Sequence, residues 1–425
     1  MIKSSWSIED EKEHTGASEE WWCVEAFLQT DNKNNWNIKC SLVKDKRNSS
    51  LKSNISILDM DIKNNKIFFK LNKKSKLSIS SDKYLLVKSE DAYIKGKFPN
   101  YDICIKVPKK NIELKLKFTA KTTQQWVAQE ITNGNLPLGL SFFKYGFIPN
   151  IDIKGYLKSD GNVTNVSGVG YFEHVWGNFH FHKPWTKLSY IPKSLALFLR
   201  LLLWWLNNFK IKTPESLEFC SENSPLGYDW SWAIFDNGWS LFYGNIMVWI
   251  KKGPCIGVLY LYSNDGLYLK FGNIRFKYLK THYSKKGRCI YPTEFELKAE
   301  DSNGKIFLRF KMSTKAREAG GLYKKLQFSN GVLLSQSPGF VEGYYFDGKK
   351  KTELKGKCRI EPQRLLPKLG HNELRINFLL PPKGFGILLN YISYYFKKHI
   401  EANLQILPKL RISFKIKRIK PGDLL

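Results

Sequence analysis

The sequence contains no CxxC pair, no GxGxxG or GxxxxGK(S/T) loop and no nucleophile-elbow serine. The missing glycine-rich loops argue against a nucleotide cofactor, because those loops are what cradle phosphates. The missing elbow leaves a serine or cysteine triad without support. Seven cysteines, scattered and odd in number, suggest reduced thiols in a cytoplasmic setting rather than a disulfide framework or a zinc site. The start, MIKSSWSIEDEKEH, is polar and acidic and is not read as a secretory signal. No helix-turn-helix, zinc-finger or RNA-recognition fingerprint appears, so nucleic acid is not an expected partner.

Aromatic residues and cations are abundant instead. The 425 residues include 13 Trp, 21 Tyr and 28 Phe, a composition that favours β-structure and aromatic-lined cavities. A net charge of +30 makes an anionic partner plausible, and in the absence of nucleic-acid motifs that partner is the anionic face of a membrane. The lysines are spread among strands rather than gathered into one arm, so a generally basic surface is the alternative explanation.

Short segments with period-two alternation, such as Asn54–Leu58, Lys66–Leu71 and Ile112–Phe118, predict antiparallel strands. Turns are expected at 31–35, 159–162, 236–238, 264–266 and 301–304, each with Asn, Asp or Gly. This serial layout predicts an all-β chain of two barrel-like domains, 1–185 and 226–365, with a linker at 186–225 and a basic extension at 366–425. Within the linker, Leu195–Leu206 is apolar apart from Arg200. Twelve helical residues rise only about 18 Å, too little for a hydrocarbon core of about 30 Å. Leu195, Leu199, Trp204 and Trp205, flanked by Lys193, Arg200, Lys210 and Lys212, therefore suggest a helix lying in a membrane interface; burial against the fold is the competing reading. In the extension, residues 384–400 look helix-like, and Leu410, Ile412, Phe414 and Ile416 form one face of a last strand.

The densest chemistry lies in SGVGYFEHVWGNF, residues 167–179. On a strand, Tyr171, Glu173 and Val175 point to one face, and Phe172, His174 and Trp176 to the other. If the first face lines a dry cavity, Glu173 can act as a proton donor oriented by Tyr171. His174 and Trp176 are expected to pack between the barrels. Trp21, Trp22, His174, Trp176, Trp230 and Trp232 are the candidate walls for a hydrophobic ligand. His180 and His182 share a strand face, but no third ligand stands at a recognised spacing, so no metal or other cofactor is expected.

Five segments in order resemble the hydroxyneurosporene synthase family, also called carotenoid 1,2-hydratase-like or AttH-like. HTGASEEWWCVEAFLQTD (14–31) is similar to its opening "H…EWWY…G.L…D", and GVGYFEHVWG (168–177) to its "G.GY.DH.WG" strand. YDWSWAIFDNGWSLFY (228–243), CIYPTEFEL (289–297) and FVEGYYFDG (340–348) resemble its "WDWF…L.DG..LM", "YP..W.L" and "YWEG…G" elements. The resemblance covers roughly residues 14–365. It implies two lipocalin-like β-barrels around a hydrophobic pocket, and an activity that hydrates, isomerises or cyclises a C=C bond of an isoprenoid or polyene. It also admits a non-enzymatic lipid binder working at a membrane surface. The family's proposed acid and its helper tyrosine fall on Glu173 and Tyr171. Glu for Asp, Cys23 for the Tyr of EWWY, the 186–225 insert and the basic tail depart from the pattern.

Overall fold

Alternation decides most of the fold. In Ile112–Ala120 (IELKLKFTA), Ile112, Leu114, Leu116, Phe118 and Ala120 are buried while Lys115 and Lys117 face solvent. Gly304–Met312 does the same with Ile306, Leu308, Phe310 and Met312. A period of two can satisfy a buried face and a solvated face at once only in a sheet.

The structure, a computed structural model, describes residues 5–45, 50–59, 73–75, 78–79, 83–138, 140–179, 187–208, 216–220, 227–246, 252–264, 266–322, 328–329, 331–365, 368–369, 373–379, 386–393, 398–405 and 411–418. The chain divides into two units, 1–201 and 202–425. As the sequence predicts, the fold is all-β with two lipocalin-like units, one a curled half-barrel sheet and the other a closed eight-stranded barrel.

The N-terminal unit is a 13-stranded antiparallel sheet. Its centre is the long hairpin Ser141–Ser159 and Asn162–Asn178, flanked by Glu19–Thr30 on one side and Ile112–Ala120 on the other. The hairpin turns at Asp160 and Gly161, both with positive φ, at the predicted place. Gly168 lets the next strand come close: a Cβ there would sit 2.0 Å from the Phe27 carbonyl oxygen. The main core, with Trp22, Val24, Ile103, Phe118 and Phe172, fills one side of this sheet.

In the C-terminal unit the ring runs Tyr228–Phe235, Ser240–Ile246, Lys252–Tyr262, Ile274–Ser284, Cys289–Asp301, Gly304–Met312, Gly331–Phe346 and Lys351–Leu365. The last strand pairs back to the first and closes the barrel. Its interior holds Leu241, Tyr243, Leu259, Phe295, Leu308 and Phe310.

A separate five-stranded sheet joins Ser216–Cys220 to the tail strands Glu373–Leu379, Gly386–Ser393, Lys398–Gln405 and Arg411–Arg418. This corrects the helix-like reading of 384–400. Its Leu, Tyr and Ile residues pair across strands, an arrangement local propensity does not reveal. Of the expected apolar face of the last strand, Phe414 and Ile416 are 64% and 56% exposed, while Leu410 lies outside the described residues.

The expected apolar helix runs from Ile191 to Asn208, and the division between the units falls within it. Ser194, Leu197, Leu201 and Trp205 form its buried stripe; Leu195, Leu199, Leu202, Leu203 and Leu206 form an exposed one. No described helix is long and apolar enough to cross a membrane.

Candidate functional site

Strand register builds the site. Glu173 stands opposite Cys23 on one neighbouring strand and Phe147 on the other; Val175 stands opposite Trp21 and Tyr145. Directly paired residues of antiparallel strands share a face, so these side chains gather with Tyr171 on one side of the sheet. That side is opposite the main core. It carries its own smaller cluster of Phe143, Val175 and Phe179, with Trp21, Leu136, Leu138 and Tyr145 against it.

Glu173 is 9% exposed and is the hub of this face. Its Oε1 accepts a hydrogen bond from Trp21 Nε1 at 3.0 Å. Its Oε2 accepts from the Tyr145 hydroxyl and, at 3.3 Å, from the Tyr171 hydroxyl. The two phenol oxygens are 3.0 Å apart. Burial, and then the nearby Glu173 charge, pushes both phenols well above their usual range, so Tyr145 and Tyr171 keep their protons. The Phe147 and Tyr171 rings stack at 6.0 Å, and Trp21 meets Phe179 edge to face at 5.8 Å.

A polar stripe continues across the same face. Ser41 donates to the Cys23 sulfur at 3.0 Å, and Lys39 pairs with the buried Glu25 at 2.8 Å. Burial pushes the Cys23 thiol far up. It is held as a thiol, not as a nucleophile.

The expected pair Tyr171 and Glu173 is thus brought together, and Trp21 joins it. The prediction did not include Tyr145. It lies 26 residues before Tyr171, and only the register of the hairpin places its hydroxyl on the carboxylate. The signal present in the sequence is the alternation Phe143, Tyr145, Phe147, which puts three aromatic rings on one face.

The other predicted residues lie elsewhere. Trp22, His174 and Trp176 occupy the core side of the N-terminal sheet. Trp22 stacks on His174 at 4.8 Å and donates its Nε1 hydrogen to the Glu11 carbonyl at 3.0 Å. His174 and Trp176, expected between two barrels, pack within this unit, with ring centroids 4.6 Å apart. Trp230 and Trp232 point away from the core of the C-terminal barrel, beside Phe242, whose ring meets Trp230 edge to face at 6.2 Å. On the helix, Leu195 and Leu199 are 53% and 55% exposed, Trp204 is half-buried beneath Lys270 at 5.3 Å, and Trp205 is buried. His180, His182, Lys210 and Lys212 lie outside the described residues.

No protein-family model and no curated protein matches this sequence. Several solved structures share its fold, two of them as follows. A Nitrosomonas europaea protein provisionally assigned as an AttH superposes with a TM-score of 0.53 at 14% identity, covering 84% of this chain and 96% of that one. Kievitone hydratase from Nectria haematococca gives 0.52 at 12% identity, covering 84% and 93%. At these identities the likeness is one of fold.

Proposed function

We propose that the chain binds a hydrophobic isoprenoid, polyene or lipid against the Glu173 face and catalyses acid-initiated hydration, isomerisation or cyclisation of a C=C bond. The observation that carries this reading is the convergence of Trp21, Tyr145 and Tyr171 on one buried carboxylate inside an aromatic cluster. When Glu173 gives its proton to an alkene carbon, a carbocation forms on the substrate and a carboxylate forms on the protein. Three donors already in place stabilise that carboxylate without reorganisation. Trp21, Phe143 and Phe179 present ring faces and edges nearby, and a ring face attracts a developing cation. In a hydration, water then adds to the carbocation and its surplus proton returns to Glu173. In an isomerisation, a neighbouring C–H gives up the proton instead. One of the structural neighbours is a hydratase, which suits this class of chemistry. Glu173→Gln removes the transferable proton and keeps the shape. Turnover of a substrate identified by lipid extraction of the purified protein should fall by roughly a hundredfold or more, with binding retained; an unchanged rate disproves the acid role.

The exposed leucine stripe favours a second reading, in which the chain shields a lipid at an anionic membrane without catalysis. The helix Ile191–Asn208 carries Lys193 and Arg200 and no acidic residue, and five exposed leucines line one side of it. A variant with Leu195, Leu199, Leu202 and Leu203 changed to Ser should lose co-sedimentation with phosphatidylserine vesicles. Equal sedimentation removes the helix from this role.

A further inference from the structure

On the core side of the same strand, away from Glu173, two side chains near the N-terminus meet a third from the strand itself. His14 Nδ1 lies 2.9 Å and His174 Nε2 3.0 Å from one oxygen, Oε1 of Glu20. The three atoms all lie within 4.8 Å of one another. Glu20 and His174 have fully buried side chains, while a quarter of the His14 side chain reaches solvent.

The hydrogen-bond directions at His174 are informative. Its Nδ1 lies 2.8 Å from the Asp10 backbone carbonyl, which can only accept, so Nδ1 carries the ring proton. The Nε2 then faces Glu20 Oε1 at 3.0 Å, and a carboxylate oxygen only accepts. The pair is joined either by a proton on Nε2 or by a metal ion that takes its place. An imidazole tied to a backbone carbonyl through one nitrogen, with the other free, is how metal-binding histidines are usually held.

The surroundings also fix the ring planes. Trp176 stacks on His14 at 3.8 Å and 10°, and Trp22 stacks on His174 at 4.8 Å and 16°. The His14 backbone N–H donates to both Glu20 oxygens, at 2.9 and 3.1 Å, which orients the carboxylate. Lys44 is 3.8 Å from Glu20 Oε2 and pairs with Glu13; Asp10 pairs with Lys144 at 3.4 Å. These neighbouring cations each have a carboxylate partner.

We propose that His14, Glu20 and His174 form a binding site for a divalent transition metal ion of the zinc class, through Nδ1, Oε1 and Nε2. Two imidazoles and one carboxylate suit zinc and its neighbours better than magnesium or calcium, which prefer oxygen. Zinc bonds to nitrogen and oxygen are about 2.0–2.2 Å, which sets neighbouring ligands of a tetrahedral ion about 3.3 Å apart. The two contacts to Glu20 need open by only a few tenths of an ångström, while the two ring nitrogens, within 4.8 Å of each other, draw together as the partly exposed His14 moves in. The fourth position falls to solvent on the His14 side. Bound there, the ion clamps the N-terminal segment that carries Asp10 and His14 onto the strands Glu19–Thr30 and Asn162–Asn178. Because His174 and Glu173 point to opposite faces, this clamp is independent of the acid chemistry.

The test uses the full chain, stripped with a chelator and dialysed against zinc sulfate. Wild type should retain one zinc per chain and melt at a higher temperature with zinc than without. Loaded with cobalt, it should show the visible bands of a four-coordinate ion. His14→Gln removes the one partly exposed ligand and leaves the buried Glu20–His174 pair in place. It should melt like stripped wild type, gain nothing from zinc, and bind it more weakly by roughly tenfold or more. Glu173→Gln should bind zinc as wild type does, so failure of the acid reading leaves this one standing. Wild type that retains no zinc, a melting point indifferent to zinc, or His14→Gln binding zinc as tightly as wild type would each overturn the site.

Discussion

Asp229 in the C-terminal barrel and Glu173 in the N-terminal sheet are both carboxylates with little exposed surface, 3% and 9%, and they are held differently. Asp229 faces a guanidinium: Arg364 Nη1 lies 2.9 Å from its Oδ1, and the Tyr278 hydroxyl donates to its Oδ2. Arg364 donates also to the carbonyls of Ile290 and Tyr228 and to the Tyr278 oxygen. Glu173 instead receives hydrogen bonds from an indole and two phenols. A guanidinium keeps its charge at any working pH, so Asp229 sits against a permanent counter-charge inside a packed barrel. The three partners of Glu173 are neutral, so none of them sets a permanent counter-charge against it. Two carboxylates of similar burial therefore differ in the chemistry of their partners, and the acid reading of Glu173 rests on that difference.

The largest effect should come from breaking the Asp229–Arg364 pair. Arg364→Met leaves a buried carboxylate without its counter-charge, and chemical denaturation should show a loss of about 3–5 kcal/mol. Adding Asp229→Leu removes the orphaned charge and should restore much of that stability, because a buried pair is weak evidence of net stabilisation. If Arg364→Met proves harmless, Asp229 does not depend on its counter-charge and the contrast with Glu173 fails.

Glu11 sharpens the comparison from a third side. It is 2% exposed, accepts from the Phe98 backbone N–H at 3.3 Å and from Gln124 at 3.4 Å, and burial pushes its carboxyl up to about 7. A folded-state value above the unfolded one means the folded protein holds this proton more tightly. Its stabilising contribution is complete below about 4.5 and is lost as pH rises through about 7. The shift corresponds to on the order of 3 kcal/mol. Glu11→Gln, neutral at every pH, should flatten the fall in stability between pH 4.5 and 7 in denaturant titrations. A variant whose stability falls as steeply as the wild type's would show that Glu11 is not the titrating group.

Local alternation made much of this legible. The hairpins turning at 159–162, 236–238 and 301–304 form as predicted, each with an Asn, Asp or Gly turn between two paired strands. The same period put Tyr171 and Glu173 on one face. What period two cannot give is which strand comes alongside. Tyr145 reaches Glu173 only through the register of the hairpin, and His14 and Glu20 reach His174 only because Glu19–Thr30 pairs with Asn162–Asn178. Nor can it say which face is the core. The conditional expectation that Glu173 faces into a barrel gave way to a second, smaller aromatic cluster on the opposite side. The 384–400 segment misled for the same reason: Gly386–Ser393 and Lys398–Gln405 are strands because of their partners, not because of their own composition.

The smallest effect tests the comparison most finely. Tyr145→Phe removes one hydroxyl that donates to Glu173 Oε2 and sits 3.0 Å from the Tyr171 oxygen, leaving the ring in its cluster. Tyr171 already donates to the same oxygen at 3.3 Å, so stability should fall by only about 1 kcal/mol, the usual net worth of a single hydrogen bond. Under the acid mechanism the same change removes a donor that stabilises the carboxylate left after proton transfer. Its effect on turnover should then exceed its effect on stability, roughly tenfold or more in rate, with substrate binding unaltered. A rate that falls only as far as stability does would make Tyr145 a packing residue, and Glu173 a buried carboxylate of the same kind as Asp229.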